Sequence, residues 1–571
     1  MDIDTKIVNS NSDIDYQESK GLGKEKTKVF KDPIYGYIYI PLKYISIIDS
    51  PAFQRLRRIS QTSYSPLYSS ALHNRFVHSM GVFHLAQTAI AALYKNAEGY
   101  FKPIENNKIL YTEVFKLAAL LHDVGHAPFS HTGENFFLGE SHKNAALHEE
   151  LIKLVGSEDF KLDVLNAPSS KNSANPHEIM SAIVGIQQFD SFLNKQEARE
   201  FFARCITGYK YNNSKQWTKP LTDKEKLLNC FVNLLNSKVI DVDKLDYLIR
   251  DAFVLGYDSV KIDYVRLLGA LTIISEDDEY ILAYNKSAIS VIENVVYARD
   301  AEKKWIQSHP VVLYENFIIQ ECMNEIVKEK GYGFFSSDSL SPKGIDCDNT
   351  HISLLCDDDI ITYIKSKNKA EVEKRDVPHQ YFDRAARMHA LWKSEAEYRA
   401  MIKEKLTADE FTLFQKTMAI IVNASESKSD KRVEILDQNY LSGKRKELNE
   451  YKHLLAQDPE HSTSYNAKIK KLELIIQFVE CLFKYAAEKG MEDCFVIIPS
   501  DCFNSGFDNM DFVNMRIKFN DDCIKEFNKI VSTLAFEKNN GKVYYLYYFR
   551  NGDEKCTDLC SKITACFKEN N

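Results

Sequence analysis

The chain has 571 residues, a formal net charge of −8 and 44% hydrophobic residues. This length exceeds what one compact core accommodates, so a domain of roughly 300 to 350 residues with one or two smaller ones is expected. The negative charge argues against a generally basic surface that coats nucleic acid, but a phosphate pocket needs only a few Lys or Arg residues. Binding of nucleic acid is therefore left open.

The twelve cysteines show no Cys-x-x-Cys spacing. This pattern favours reduced thiols and a cytoplasmic protein. No stretch approaches the ~18 uninterrupted apolar residues of a membrane span, so no membrane partner is expected.

Residues 1–27 are polar and predict a flexible N-terminal arm. After it, Asp32-Pro-Ile-Tyr-Gly is a turn signal before a short strand, and a capping residue followed by Pro predicts a helix over 49–59. Apolar spacing predicts further helices, over 76–94, 110–123, 177–188 and, as one or two, 226–255. Residues 28–330 thus form a helical core.

The composition changes beyond residue 330, where Gly, Ser and Asp are frequent. The charged segment 428–464 predicts a solvated helical pair or a flexible insertion, and 468–489 an amphipathic helix. Runs rich in β-branched and aromatic residues predict strands, at 494–499, 513–519 and 542–549. The fold class expected is mainly α, with a smaller C-terminal α+β lobe in 331–571.

The most informative stretch is Leu120-Leu-His-Asp-Val-Gly-His-Ala-Pro-Phe-Ser-His131, which places three histidines and an aspartate in ten residues behind an apolar helix. Adjacent His122 and Asp123 point in different directions, so they can share an ion only near the helix edge, with other ligands from elsewhere. His78 and one acid of the 241–251 segment are the candidates. A lone histidine is usually a hydrogen-bonded helix residue, but this clustering favours a metal or phosphate site.

Five ordered blocks resemble the HD-domain deoxynucleoside triphosphate (dNTP) triphosphohydrolases of the SAM-and-HD-domain branch, without a SAM domain. The resemblance covers residues 28 to about 320. Its blocks are Asp32-Pro-Ile-Tyr-Gly, Ile48-Asp-Ser-Pro-Ala-Phe-Gln-Arg-Leu-Arg-Arg-Ile-Ser-Gln61, His73-Asn-Arg-Phe-Val-His-Ser-Met-Gly81, His122-Asp-Val-Gly-His-Ala-Pro-Phe-Ser-His131 and Asp241-Val-Asp-Lys-Leu-Asp-Tyr247. The third and fifth blocks are far more specific than the His-Asp pair, which alone would indicate only the wider phosphohydrolase superfamily.

The resemblance implies that His78, His122, Asp123 and Asp243 bind a metal. This mixed nitrogen and oxygen set suits Fe, Mn or Zn, and Mg could join through the phosphates. The expected reaction is hydrolysis of a dNTP to deoxynucleoside and triphosphate.

Catalytic roles also follow from the resemblance. His131 stands three residues before Glu134, so the carboxylate can orient and charge the imidazole, which makes His131 the candidate general acid. His126 and a later His-Glu histidine are expected to hold phosphates. That later residue is His177 or His148, and the sequence around His177 is the better match.

The family match also implies two nucleotide-binding sites, one for the substrate and one for a regulatory nucleotide. It places Gln61, Tyr247 and Asp251 near the sugar 3′-hydroxyl, and Arg75, Lys244 and Arg299 on the phosphates; Gln307 stands where an aromatic residue is expected. Asp49, Gln54 and Arg57 match residues that read a guanine base in a regulatory pocket, and they could equally cap and bridge the first helix.

A homo-oligomer, dimer or tetramer, is expected. Two other functions stay open: the same site could act on nucleoside monophosphates, alarmones or nucleic-acid ends, or the core could be a nucleotide sensor whose output is the C-terminal lobe.

Overall fold

The computed structural model describes residues 26–140, 144–167, 174–212, 220–257, 261–367, 377–422, 433–458, 461–508, 515–520, 523–531, 541–550, 556 and 558–568. Residues 1–25, nearly all of the predicted N-terminal arm, lie outside the described residues, as do 428–432 of the predicted charged segment.

Helices dominate the first 330 residues, as the apolar spacing predicted. They are α1 (Ile45–Ile48), α2 (Pro51–Gln54), α3 (Arg75–Asn96), α4 (Lys108–Leu121), α5 (Ala145–Val155), α6 (Glu158–Leu165), α7 (Pro176–Gln188), α8 (Gln196–Thr207), α9 (Asp223–Leu235), α10 (Val242–Leu255), α11 (Tyr264–Gly269), α12 (Ile289–Glu302) and α13 (Pro310–Lys330).

The helices that carry the candidate site residues have clear local start and stop signals. Asn74 caps α3 by accepting from the backbone N–H of Val77. Asp241 caps α10 by accepting from Lys244 N, and Gly256, in a left-handed conformation, ends it. Although α3 is long and apolar enough to cross a membrane, 67% of its most apolar window is buried inside the protein. It is a core helix here.

The continuous helix predicted over 49–59 is wrong in its extent. Ser50 caps the short α2, and the chain then tightens into a 3-10 turn over Arg55–Arg58. The Arg55 side chain is buried and donates to three backbone carbonyls of distant segments. These tertiary contacts outweigh the local preference for a regular helix.

Within the described residues, the strands form four small sheets. They are β1 (Thr27–Asp32), β2 (Gly36–Pro41), β3 (Leu271–Glu276), β4 (Glu279–Asn285), β5 (Ile345–Cys347), β6 (Thr350–Ile352), β7 (His389–Ala390), β8 (Glu434–Leu436), β9 (Phe495–Asp501), β10 (Arg516–Lys518), β11 (Ile524–Glu526) and β12 (Lys542–Tyr548). Pairs β1–β2 and β5–β6 are antiparallel hairpins, and the other sheets have the orders β11-β10-β4-β3 and β7-β12-β9-β8.

The C-terminal region combines these strands with further helices. They are α14 (Asp357–Lys367), α15 (Val377–Phe382), α16 (Glu395–Met401), α17 (Ala408–Ile421), α18 (Gln438–Gln457), α19 (Ser462–Glu488) and α20 (Leu559–Lys568). Within its described residues, the charged 428–464 segment lies largely in the helical pair α18–α19. The mainly α fold with a C-terminal α+β region is confirmed.

The two regions are packed together rather than joined by a linker. β10 pairs in parallel with β4, so a C-terminal strand extends a sheet of the helical core. One apolar core runs through both regions, from Tyr35 to Phe567. This packing brings C-terminal residues close to the site described next.

Candidate metal centre and active site

Three helices deliver four polar side chains to one buried point. His78 comes from α3, His122 and Asp123 from the end of α4, and Asp243 from the first turn of α10. The His78 Nε2 atom lies 3.2 Å from His122 Nε2, 3.0 Å from Asp243 Oδ1 and 3.6 Å from Asp123 Oδ2. His122 Nε2 lies 3.6 Å from Asp123 Oδ2 and 3.5 Å from Asp243 Oδ1.

The outer nitrogen of each imidazole is already bound, which leaves the inner nitrogen facing the cluster. His78 Nδ1 lies 2.8 Å from Asp246 Oδ2, and His122 Nδ1 lies 3.0 Å from the backbone oxygen of Ala119. A hydrogen bond from Nδ1–H to an acceptor fixes the tautomer and ring orientation of a metal-binding histidine. Both Nε2 lone pairs are therefore directed at the same point.

The four acids of the 241–251 segment have four different partners. Asp241 caps α10 and pairs with Lys244 at 2.8 Å, Asp243 faces the two histidines, Asp246 holds His78, and Asp251 Oδ1 lies 2.6 Å from His73 Nε2. Of these four acids, Asp243 points at the cluster, and its role as a metal ligand stays a prediction.

Asp246 is itself held by a buried network. Tyr35 Oη donates to its Oδ1 at 2.6 Å, and Arg250 donates to both carboxylate oxygens. Arg250 also donates to Asp32 at 3.1 Å. A Cβ at Gly81 would stand 1.9 Å from Asp246 Oδ1, so only glycine fits at this point of α3. The Asp-Pro-Ile-Tyr turn thus supports His78 through two further side chains.

The electrostatics of this cluster favour a cation. Burial lowers the pKa of His78, but its contacts with Asp243 and Asp246 outweigh burial and raise the pKa to about 9. Burial raises the pKa of Asp123, but Arg75 and the two histidines outweigh it and lower the pKa below its usual range. Two imidazoles and two carboxylates at one buried point form a donor set that fits a divalent metal.

A second cluster follows directly along the chain. The donor atoms of His126, His131, Glu134 and His177 all lie within 4.8 Å of one another. Glu134 Oε1 contacts His131 Nδ1 closely, and lies 3.0 Å from His177 Nδ1 and 3.7 Å from His126 Nε2. The His126 and His177 rings stack at 4.6 Å. One carboxylate thus lies within 3.7 Å of a nitrogen of each of three imidazoles.

These histidines differ in charge and exposure. Burial lowers the pKa of His177, but Glu134 outweighs it and raises the pKa to about 9. Burial, reinforced by Arg75 and the neighbouring histidines, holds the pKa of His126 well below its usual value. The His131 side chain keeps 68% of its surface exposed. The cluster therefore presents a cationic, a neutral and a solvent-accessible imidazole.

The comparison with known proteins agrees with this geometry. The HD domain family matches residues 75–198, a range that holds His78, His122, Asp123 and the whole second cluster. This segment of the chain is thus similar to the HD domain. The family implies a divalent metal, for which the first cluster supplies the His and Asp ligands.

Several relatives resemble the chain around its HD domain. It is 31% identical over 265 residues to "Deoxynucleoside triphosphate triphosphohydrolase SAMHD1" of Danio rerio, covering 44% of this chain and 37% of that protein. It is 27% identical over 305 residues to an uncharacterised protein of Methanocaldococcus jannaschii, covering 53% and 51% of the two chains. The chain thus spans about half the length of these relatives, or less.

A solved structure supports the fold of the HD domain and its surroundings. A phosphohydrolase from Bacteroides thetaiotaomicron aligns over 92% of this chain and all of its own, with a TM-score of 0.51 and 19% identity. At that identity the likeness concerns the fold alone.

The loop that joins the two clusters of the HD domain is held in an unusual conformation. A Cβ at Gly125 would stand 2.4 Å from the backbone of Met180, so glycine permits the loop to approach α7, which carries His177. Phe129 and Ser130 both have φ of 56°, the left-handed region. For residues other than glycine this costs on the order of 1 kcal/mol each and needs support from surrounding structure.

Arg75 links this loop to the metal cluster. Its Nε donates to Ser130 Oγ at 2.9 Å, Nη1 to Asp123 Oδ2 at 2.8 Å and Nη2 to Gln61 O at 3.4 Å. All three guanidinium nitrogens are thus engaged by the protein. A phosphate-binding role for Arg75 stays a prediction. The same holds for Lys244, which pairs with Asp241.

Two of the predicted sugar-binding residues, Gln61 and Asp251, both contact His73. Gln61 N bonds to His73 O, and His73 pairs with Asp251. Burial raises the pKa of Tyr247 and of Glu302, and the nearby half-buried Arg299 acts in the opposite direction on both. Gln307 donates to Glu302 at 2.8 Å, while Trp305 is exposed.

Several buried polar atoms in this area have no hydrogen-bond partner among the described residues. Gln61 Oε1, Thr62 Oγ1, His73 Nδ1 and both nitrogens of His126 have no hydrogen-bond partner within the part of the chain that the structure describes. Buried polar groups are rarely left unpaired in proteins. A polar ligand bound beside the two clusters would supply the partners that these atoms lack.

The predicted regulatory residues form an exposed strip around α2. Gln54 Nε2 donates to Ile48 O at 2.7 Å, and Arg57 Nε donates to Gln54 Oε1 at 2.9 Å. Asp49 is exposed beside them. Gln54 and Arg57 do bridge this turn, and a regulatory role for the three residues stays a prediction.

His148 lies outside the cluster. Its Nε2 is 2.8 Å from Tyr209 Oη, whereas His177 contacts Glu134. Sequence reasoning overlooked Asp246, Arg250 and Tyr35. The i,i+4 pairing of Asp246 with Arg250 was a signal for part of that network, but its contacts with Asp32 and Tyr35 span more than 200 residues.

Proposed function

We propose that the protein is a metal-dependent triphosphohydrolase that converts a dNTP and water to deoxynucleoside and triphosphate. The observation that carries the proposal is the pairing of the His78, His122 and Asp123 cluster, which Asp243 joins, with a histidine–carboxylate cluster through one short loop. The substrate class is supported by the name of the Danio rerio relative, which is a deoxynucleoside triphosphate triphosphohydrolase.

His78, His122, Asp123 and Asp243 would hold the metal. Such an ion, when bound, supplies Lewis-acid activation of a phosphoryl group. Mg bound with the phosphates could join it. Around this centre, buried side chains and the packed α3, α4 and α10 restrict the access of bulk water.

The second cluster supplies the proton and the phosphate contacts. Glu134 binds His131 Nδ1, which orients the ring and leaves its exposed side free to give a proton to the departing 5′-oxygen. His177, whose pKa Glu134 raises to about 9, is cationic at neutral pH and suits an anionic phosphate. His126, stacked on His177, would donate a further hydrogen bond.

The remaining predicted residues would complete the binding site for the nucleotide. Gln61, Tyr247 and Asp251 would bind the sugar, and Arg75, Lys244 and Arg299 the phosphates. Asp49, Gln54 and Arg57 would bind an activating nucleotide. A homo-oligomer and a cytoplasmic location, consistent with twelve free cysteines, belong to the same proposal.

The proposal is tested by product analysis on purified protein of known metal content. The four dNTPs are supplied singly and mixed, beside GTP, and products are separated by anion exchange. We expect deoxynucleoside and intact triphosphate, reduced to background in His122→Ala and Asp123→Ala. His148→Ala, which changes a histidine outside both clusters, should retain activity. Activity in mixtures only would support the regulatory site.

Other outcomes point elsewhere. Orthophosphate in place of triphosphate, from a monophosphate substrate, would favour a nucleoside monophosphatase. If the protein binds metal but no mixture yields triphosphate, the dNTP proposal fails, and alarmones, nucleic-acid ends and a sensor role would be examined with the same panel.

A further inference from the structure

A segment beyond residue 330, to which the sequence assigned no chemistry, reaches the loop between the two clusters. The carboxylate of Asp357, the first residue of α14, accepts from Phe129 N at 2.7 Å through Oδ1 and from Ser60 N at 2.8 Å through Oδ2. One carboxylate thus joins the backbone just before His131 to the backbone just before Gln61.

A second buried side chain holds the same segment from the other side. Arg55 donates through Nε to Leu355 O at 2.7 Å, through Nη1 to Val124 O at 3.3 Å and through Nη2 to His126 O at 2.5 Å. Arg55 and Asp357 are each only 4% exposed. Hydrogen bonds to charged groups in such surroundings are stronger than those at the surface.

These contacts occur next to residues whose backbone is in the unfavourable left-handed conformation. Phe129 and Ser130 on the loop, and Leu354 on the C-terminal segment, have φ of 56°, 56° and 54°. Side chains other than glycine rarely adopt such angles, and they persist only when surrounding contacts determine them. Asp357 binds directly to one of these residues, and Arg55 binds beside another.

The loop conformation in turn sets the position of reacting groups. Ser130 Oγ bonds to Ser60 O and accepts from Arg75, which holds Asp123. His131 follows Ser130 directly. A displacement at Phe129 would therefore move His131, Gln61 and the support of Asp123 together.

We propose that Asp357 and Arg55 are positioning residues, a clamp by which the C-terminal region holds the loop between the two clusters in its reactive geometry. The catalytic consequence rests on the proposed function, whereas the clamp itself does not. It gives the region beyond residue 330 a direct part in the site.

The test compares two neighbouring carboxylates in the full chain. Asp357→Asn keeps size and shape but turns an amide N–H toward one of the two backbone N–H donors. Asp358→Asn is the matched control, because Asp358 is exposed and its carboxylate lies 3.6 Å from Arg58. Arg55→Lys, which keeps the charge but not the three-way contact, is the second clamp variant.

Activity is the first readout. With the dNTP mixture, kcat of Asp357→Asn should fall about 10-fold to 100-fold, while KM, metal content and melting temperature stay within the range of Asp358→Asn. Arg55→Lys should show the same pattern. A wild-type kcat in Asp357→Asn would overturn the positioning role. So would a lower metal content together with a raised KM and a lower melting temperature in both clamp variants.

Hydrogen exchange is the second readout and does not depend on the substrate. The amides of Phe129 and Ser60 should exchange at least ~10-fold faster in Asp357→Asn than in wild type, with no change in Asp358→Asn. If wild type releases no triphosphate, the proposed function fails while this result still decides the clamp. Unchanged exchange at both amides would refute it.

Discussion

The two histidine clusters use the same residue types in opposite ways. In the metal cluster each outer imidazole nitrogen is bound by a protein acceptor, Asp246 Oδ2 or Ala119 O, and two carboxylates join the inner nitrogens. In the second cluster one carboxylate, Glu134, contacts three imidazoles, and His131 is largely exposed. The first arrangement concentrates lone pairs at one point, and the second leaves imidazoles free to exchange protons or bind anions.

This difference teaches that the role of a histidine depends on what its second nitrogen binds. Asp246 and Glu134 are both buried carboxylates that contact an imidazole Nδ1. Asp246 is also neutralised by Arg250, whereas Glu134 is left to the histidines. The following experiments separate the two roles, from the largest expected effect to the smallest.

His131→Ala should separate proton transfer from metal binding. We expect kcat to fall about 10² to 10⁴-fold, the range typical of a lost general acid, with the metal content of wild type. Steady-state kinetics and elemental analysis of the same preparation measure both. His148→Ala is the control. A parallel loss of metal would mean that the two clusters form one metal site.

Asp246→Asn should weaken the metal site without entering it. Removing a carboxylate that orients a metal-binding histidine typically costs about 10 to 100-fold in affinity, so the apparent metal Kd should rise by that factor, and saturating metal should restore kcat. Titration of metal-free protein checks this. Asp278→Asn, a surface change beside Lys226, is the control. Unchanged affinity would show that Asp246 supports packing only.

The second cluster should give the protein a pH-dependent stability. Burial lowers the pKa of His177, but Glu134 outweighs burial and raises the pKa to about 9, against an ordinary value near 6.5. The native state therefore binds more protons than the unfolded state between these values. The stabilisation is complete below pH ~6.5 and is lost as pH rises through ~9; at ~1.4 kcal/mol per pKa unit it amounts to roughly 3 kcal/mol.

Urea unfolding across pH 6.5 to 9, at a fixed free metal concentration, measures this loss. His177→Gln should lack that part of the decline, whereas His148→Gln should retain it. An identical decline in wild type and His177→Gln would mean that Glu134 does not stabilise the charged imidazole in solution.

The sequence predicted much of the fold because its signals are local. Apolar spacing located α3, α4 and α7, and runs of β-branched and aromatic residues located β9 and β12. The helix over 49–59 was overestimated because the contacts of Arg55 are made with residues at 124, 126 and 355. No local pattern contains that information.

The sequence by itself determined which residue types were available for chemistry. A histidine–aspartate pair at a helix end, with His78 and Asp243 in specific motifs, predicted four ligands that the fold brings together, although their roles stay a prediction. Only the tertiary structure decided how these side chains are aimed. Asp246, Arg250, Tyr35 and Asp357 act through contacts between residues far apart in the chain, which form only when the helices pack and bury charge in one place.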